Sequence, residues 1–192
     1  MASFLIAYAS SEGQTASIAR RLEETITTRG HAVDVVDVQD TAEPVDLESA
    51  DAVLIGASIH AGRHQKAIRS FVRGHVDTLA SIPTAFFQVS LSSATEEGRE
   101  EAAGYVEQFL EETGWEPDRI GQFGGALRFS QYGFLKRLMM KRVAAASLPD
   151  VEGSKDVEYT DWAEVEAFGA DVAAFVEGRL GDRASSPEER SR

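Results

Sequence analysis

The stretch Phe4-Leu5-Ile6-Ala7-Tyr8-Ala9-Ser10-Ser11-Glu12-Gly13-Gln14-Thr15 decides the fold, because it joins a strand pattern directly to a helix pattern. Its first five residues are apolar and predict a buried strand. A helix is predicted at about residues 15–29, where Ile18, Leu22 and Ile26 recur at four-residue spacing and form one apolar stripe. The chain therefore opens with a strand, a short loop and a helix.

The loop of this unit has the features of an anion site. Backbone N–H groups at the start of a helix lack intrahelical partners, and the helix dipole favours negative charge there. Gly13 allows close backbone approach, while Ser10 and Thr15 offer hydroxyl donors. The loop has no lysine and lacks the three glycines of a dinucleotide fingerprint, so it favours a single phosphate. The alternative is that the hydroxyls only cap the helix.

Further apolar runs alternate with helical patterns along the chain, which is typical of a parallel sheet covered on both faces. Strands are predicted at residues 33–38, 52–58, 84–89 and 120–125, and helices after the third strand, at 96–113 and from about 161. Because ligands bind at the carboxyl ends of the strands in such sheets, the loops that follow them are the candidate site.

Two of these loops are expected to complete the crevice begun by the first. They contain Ser58, Ile59, His60, Ala61 and Gly62 after the third strand, and Leu91, Ser92 and Ser93 after the fourth. Gly56 and Gly62 would let the backbone lie against a flat ring system, and Ile59 or His60 could stack on it. For His60 and His64 the alternative is a solvent-exposed position in the loop.

The composition excludes several classes of function. The 192 residues suit one domain, and no apolar run reaches the length of a membrane span. The net charge of −13 argues against nucleic acid as a partner. With no cysteine, and no carboxylates at ligand spacing, no metal site is predicted, and redox chemistry would belong to a bound cofactor.

The surface charge and the amino-terminal sequence indicate the kind of organism and the cellular location expected for the protein. Only four of its 19 basic residues are lysines, a surface expected of a protein from a halophile, where salt screens self-repulsion. The alternative is an acidic electron carrier that docks on a basic partner. The apolar stretch near Met1 is too short for a signal peptide and predicts a cytoplasmic location.

Four segments carry a resemblance to a known family. They are residues 8–15, residues 56–64, Gly125-Ala126-Leu127-Arg128 and Val157-Glu158-Tyr159-Thr160-Asp161-Trp162. Together they resemble the menaquinone-dependent protoporphyrinogen IX dehydrogenases of haem biosynthesis, which are flavodoxin-like FMN proteins. The similarity runs in the same order from residue 3 to about residue 176.

The resemblance implies a flavodoxin-like α/β sandwich of three layers, with a five-stranded parallel sheet in the order 2-1-3-4-5. The domain would span residues 1–178, with an insertion at about 127–156 and a disordered polar tail at 179–192. FMN would be the cofactor, with its phosphate held by Ser10, Ser11, Glu12, Gly13, Gln14 and Thr15. The ring would be bordered by 58–62 and 91–93. Electron-carrying flavodoxins usually have Thr or Ser in place of Glu12. A carboxylate at this position would repel the phosphate if it turned inward, so Glu12 is expected to point to solvent.

The insertion has a composition of its own. Its charged residues between positions 126 and 148 are all basic, namely Arg128, Lys136, Arg137, Lys141 and Arg142. Apolar residues interleave with them, which suits contact with an anionic membrane through residues 128–143 or binding of tetrapyrrole propionates by Arg128, Lys136 and Arg137. The alternative is a helix that packs on the sheet and pairs with the acidic surface.

The leading functional hypothesis is an oxidoreductase that oxidises protoporphyrinogen IX, or a related reduced substrate, with a quinone as acceptor. A non-enzymatic flavodoxin electron carrier and an NAD(P)H:quinone reductase are the alternatives. The basic, aromatic insertion favours the oxidoreductase over the electron carrier, because a carrier of single electrons has little use for such a segment.

Overall fold

The computed structural model describes residues 1–41, 44–127 and 156–185, with side chains described as far as residue 182. The strands are β1 Ser3–Ala9, β2 Ala32–Asp37, β3 Ala52–His60, β4 Arg63–His64, β5 Thr84–Ser90, β6 Arg119–Gly124, β7 Ala126–Leu127 and β8 Val157–Glu158. The α-helices are α1 Gln14–Thr28, α2 Lys66–Gly74, α3 Val76–Leu79, α4 Arg99–Thr113 and α5 Trp162–Ser185, and Ser92–Ala94 is a 3₁₀ turn.

The main sheet has five parallel strands in the order β2-β1-β3-β5-β6, with the short β4 antiparallel to β3. Counted along the chain, this is the predicted order 2-1-3-4-5. The register pairs Ala9 with Ala57, Ser58 with Val89, and Ser90 with Gly124, so the carboxyl ends of four strands meet at one edge. Within the described residues, none of the helices has the length and hydrophobicity of a membrane span.

Two apolar layers enclose the sheet because strand side chains alternate between its faces. On one face, Ile18, Leu22 and Ile26 of α1 pack with Val172 of α5 against Phe4 and other strand residues. On the other face, α2 and α4 cover strand residues such as Ile55 and Phe86. The predicted stripe of α1 is fully buried, and its residues anchor the helix that begins at the candidate site.

The structure defines both the start and the end of the predicted carboxyl-terminal helix. Helix α5 begins after Asp161, whose Oδ1 accepts hydrogen bonds from the N–H groups of Ala163 and Glu164. This carboxylate therefore caps the first turn of the helix. The polar tail was expected from residue 179, but α5 continues to Ser185. Residues 186–192 lie outside the described part of the chain, so the disorder of the tail stays a prediction.

The role expected for Gly56 was wrong. Gly56 lies within β3, and a Cβ there would come within 2.1 Å of the Phe87 ring on the neighbouring strand. The glycine therefore makes room for a core aromatic ring, and its backbone does not adopt a positive φ. Gly62, by contrast, has a φ of 76° in the turn between β3 and β4.

His64 is buried, with 5% of its surface exposed, so the alternative of a solvent-exposed loop position was wrong for this residue. Its ring centroid lies 4.7 Å from that of Phe109 and 5.7 Å from that of Phe86. Burial penalises the protonated imidazolium and lowers the pKa of His64 to about 4. The residue is therefore an uncharged part of the core beneath the β3–β4 turn.

The buried histidine predicts a pH dependence of stability. An unfolded chain takes up a proton on His64 near pH 6.5, whereas the folded chain resists it down to about pH 4, so the free energy of unfolding should fall as pH drops through this window. The difference corresponds to about 3 kcal/mol. Urea unfolding of wild type and His64→Leu between pH 7 and pH 4 measures it.

The variant should lose this part of the pH dependence, while His60→Leu, which removes an exposed histidine, should retain it. Parallel pH profiles for wild type and His64→Leu would contradict the account.

Candidate functional site

A cleft of about 320 Å³ opens at the edge where β1, β3, β5 and β6 end. Twelve of its lining residues were expected: Ser10, Ser11, Glu12, Gln14, Thr15, Ser58, Ile59, His60, Ala61, Gly62, Leu91 and Ser92. The other lining residues are Ser90, which begins the third loop, and Val89, Glu101, Tyr105, Gly125 and Ala126. The three loops named from the sequence thus converge on one crevice.

The first loop enters α1 through a left-handed glycine. Gly13 has a φ of 86° at the N-cap, and a Cβ there would meet no atom within 4 Å. Its N–H donates to Ser10 Oγ at 3.0 Å, which holds the loop in shape. Gly13 has no side chain with which to cap α1, and no side-chain capping hydrogen bond forms at this N-cap. The open space and the uncapped helix start suit an anion.

The environment of the Thr15 hydroxyl shows whether the first loop could hold a phosphate. The residue is only 1% exposed, and its Oγ1 has no hydrogen-bond partner among the described residues. A buried hydroxyl without a partner is costly, and such groups in native proteins are nearly always satisfied. Because Thr15 lines the cleft at the helix start, a phosphate oxygen placed there would satisfy it. The residues present therefore fit the phosphate of FMN.

Two glutamine side chains tie the loops together. Gln65 Nε2 donates to Ser11 Oγ at 3.3 Å and to Ser58 Oγ at 2.5 Å, which links the first loop to the end of β3. Gln14 Nε2 donates to Thr160 Oγ1 at 2.8 Å, and that hydroxyl donates to the Gly124 carbonyl at 2.7 Å. The cleft walls are thus held in a fixed relation by side-chain hydrogen bonds.

The second loop is a tight hairpin. Strand β3 continues through Ile59 and His60, then Ala61 and Gly62 turn the chain with φ values of 50° and 76° before β4. Ala61 is the single non-glycine residue with positive φ in the described part of the chain. Such backbone is disfavoured for alanine, and strain of this kind concentrates at ligand sites. The turn presents its backbone to the cleft.

The expected residues differ in how they reach the cleft. Gly13 and Ser93 do not line it: Gly13 shapes the loop, and Ser93 Oγ pairs with Ser90 Oγ at 2.7 Å. Glu12 was expected to point to solvent, but it is half-buried and belongs to the lining. The substrate candidates Arg128, Lys136 and Arg137 lie outside the described residues.

Helix α4 contributes a carboxylate and a phenol that the sequence analysis missed. Glu101 Oε2 accepts from Ser92 Oγ at 2.5 Å, and Oε1 accepts from the Tyr105 hydroxyl at 2.8 Å. These bonds, first that from Ser92, lower the pKa of Glu101 and keep it ionised. Burial raises the pKa of Tyr105. The four-residue spacing of Glu101 and Tyr105 on a helix that follows a site loop was the available indication.

The unsatisfied hydroxyl of Thr15 predicts opposite effects of its removal on FMN affinity and on the stability of the apoprotein. Thr15→Val should weaken FMN binding by about tenfold or more, since a hydrogen bond to a charged group contributes roughly 1.5–3 kcal/mol. The apoprotein should be as stable as wild type or more so, because valine removes an unsatisfied buried group. Flavin fluorescence titration and thermal unfolding of the apoprotein measure the two effects.

Thr25→Val on the same helix is the matched control, since the Thr25 hydroxyl donates to the Arg21 carbonyl away from the cleft. It should leave FMN binding unchanged. Equal FMN affinities for Thr15→Val and wild type would refute the phosphate assignment.

Comparisons with solved structures agree with the fold described above. A flavodoxin from the domain Archaea is 17% identical, with a TM-score of 0.51, over 91% of this chain and 99% of that one. A short-chain flavodoxin associated with a PDU bacterial microcompartment is 12% identical, with a TM-score of 0.58, over 92% of this chain and 99% of the other. These likenesses support a flavodoxin-like sandwich.

Sequence comparisons define the family more narrowly. A profile of the flavodoxin domain matches residues 5–149, and the cofactor of this flavodoxin domain is FMN. The protoporphyrinogen IX dehydrogenase [quinone] of Escherichia coli K12 is 36% identical over 174 residues, covering 90% of this chain and 96% of the relative. The Leishmania major protein of the same name is 33% identical over 176 residues, covering 89% and 74%. The chain therefore belongs to the flavodoxin-domain family that includes the quinone-dependent protoporphyrinogen IX dehydrogenases.

Proposed function

We propose that this protein oxidises protoporphyrinogen IX through bound FMN and passes the electrons to a quinone. The observation that carries the proposal is the 36% identity to the Escherichia coli enzyme over 96% of that enzyme's length. Coverage of this extent includes the insertion as well as the FMN-binding loops. FMN supplies the electron-transfer chemistry when bound, and the protein supplies binding, orientation and exclusion of water.

The first loop is assigned to the FMN phosphate. Thr15 donates its buried hydroxyl to a phosphate oxygen, and the first turn of α1 directs its dipole at the same group. Gly13 keeps the approach clear because no side chain projects there. Ser10, Ser11 and Gln14 border the same end of the cleft.

The second and third loops are assigned to the flavin ring. The β3–β4 turn forms one wall with the backbone of Ala61 and Gly62, and Ile59 adds an apolar surface. Val89, Ser90 and Leu91, with Gly125 and Ala126, form the opposite side. Small and apolar residues on both sides leave space for a flat ring and exclude water from its face.

The insertion is assigned to the substrate and the membrane. Its two ends are joined by the β7–β8 ribbon, which pairs Ala126 with Glu158, and Ala126 itself lines the cleft. The insertion therefore leaves and re-enters the fold beside the flavin site. We propose that Arg128, Lys136 and Arg137 bind the substrate propionates and that residues 128–143 contact the cytoplasmic face of an anionic membrane.

Replacing Lys136, Arg137, Lys141 and Arg142 with Gln should spare FMN binding but reduce both liposome binding and protoporphyrinogen oxidation. Each basic residue near an anionic surface contributes about 1 kcal/mol, so the loss of four predicts a liposome affinity about a thousandfold lower. Sedimentation with anionic vesicles at low salt, and oxidation assays with and without quinone, measure the effects.

The control replaces four exposed basic residues of the main fold, Arg20, Arg63, Lys66 and Arg99, and should behave as wild type. If the insertion variant matches wild type in both assays, the basic segment is a solvated face and an electron-carrier function gains support.

A further inference from the structure

The carboxylate of Glu101 is fixed at the cleft but retains capacity to bind. Ser92 and Tyr105 each donate one hydrogen bond to it, one to each oxygen. A carboxylate has about four lone-pair sites, so each oxygen can accept another donor. The side chain is held by two neighbours from different elements, the turn after β5 and helix α4, which fixes its direction.

Glu101 lies at the mouth of the cleft and not in its depth. The residue is exposed, whereas Thr15, Val89 and Ser90 of the same lining are buried. Tyr105 lies close to the β3–β4 turn, since its hydroxyl would be 3.9 Å from a Cβ at Gly62. A cofactor seated on the buried residues would leave the exposed carboxylate reachable by a second molecule that enters over it.

The two reactants of the proposed function differ in the chemistry they offer to a carboxylate. A porphyrinogen carries an N–H donor on each pyrrole ring, and its puckered macrocycle can direct those donors outward. A quinone carries only carbonyl acceptors, which a carboxylate repels. An anion at the mouth therefore discriminates between them.

We propose that Glu101 is a specificity-determining residue that accepts hydrogen bonds from the pyrrole N–H groups of the reduced tetrapyrrole. This inference rests on the proposed function. Hydrogen bonds from N–H donors to a carboxylate are charge-assisted and strong. Oxidation makes the macrocycle planar and turns its remaining N–H groups toward the centre of the ring. The product then loses this contact, which favours its release.

Glu101→Gln tests the role because it keeps the size of the side chain and removes the charge. With FMN-loaded protein, the KM for protoporphyrinogen IX should rise about tenfold while kcat changes little. The FMN dissociation constant should stay at the wild-type value. The rate at which a water-soluble benzoquinone reoxidises the dithionite-reduced protein should stay the same or rise, because the neutral amide no longer repels the quinone carbonyl oxygens. Glu100→Gln, an exposed neighbour that does not line the cleft, should resemble wild type throughout.

The outcomes distinguish a failure of this inference from a failure of the proposed function. Wild-type protein that fails to oxidise protoporphyrinogen overturns both. If wild type is active, an unchanged KM in Glu101→Gln overturns the inference alone. So does weaker FMN binding, which would make Glu101 a cofactor ligand, or an equal loss in the quinone reaction, which would make its effect structural.

Discussion

The left-handed backbone at Gly13 is the constraint on which the site depends. It turns the chain from β1 into α1 within a short loop, with the helix start aimed at the edge where the parallel strands end. Buried residues on both faces of the sheet hold β1 and α1 in place, so both ends of the loop are fixed. The hydroxyl of Thr15 is left buried and unsatisfied among the described residues, which a rigid scaffold tolerates when a ligand completes it.

Parallel strand register extends this arrangement to the rest of the cleft. Because the carboxyl ends of β1, β3, β5 and β6 are aligned, the loops that follow these strands all border the same cleft. The hydrogen bonds of Gln14 and Gln65 then fix the separations between loops. The β7–β8 ribbon places the ends of the insertion at the same edge. One topological rule thus brings together the cofactor loops and the segment proposed for the substrate.

The five strands of the main sheet, the helix stripes and the three site loops were predictable because they follow from local periodicity and from the loops at strand ends, whereas the two-residue strands β4, β7 and β8 are too short to show a pattern. The roles of Gly56 and His64 were not predictable, since a contact with the Phe87 ring and burial against Phe109 arise from packing between elements. Glu101 and Tyr105 were missed for a similar reason: they lie on a helix and reach the cleft across the turn after β5. Sequence patterns identify strand ends more readily than the helix faces that complete a site.

The relative affinity of the apoprotein for FMN and riboflavin tests the central claim most directly, because the two flavins differ only in the phosphate. If the loop from Ser10 to Thr15 holds the phosphate, several charge-assisted hydrogen bonds distinguish the ligands, and FMN should bind at least about a hundredfold more tightly than riboflavin. Fluorescence titration of both flavins in the same buffer measures the ratio. Equal affinities would contradict the account, since binding would then depend on the ring alone.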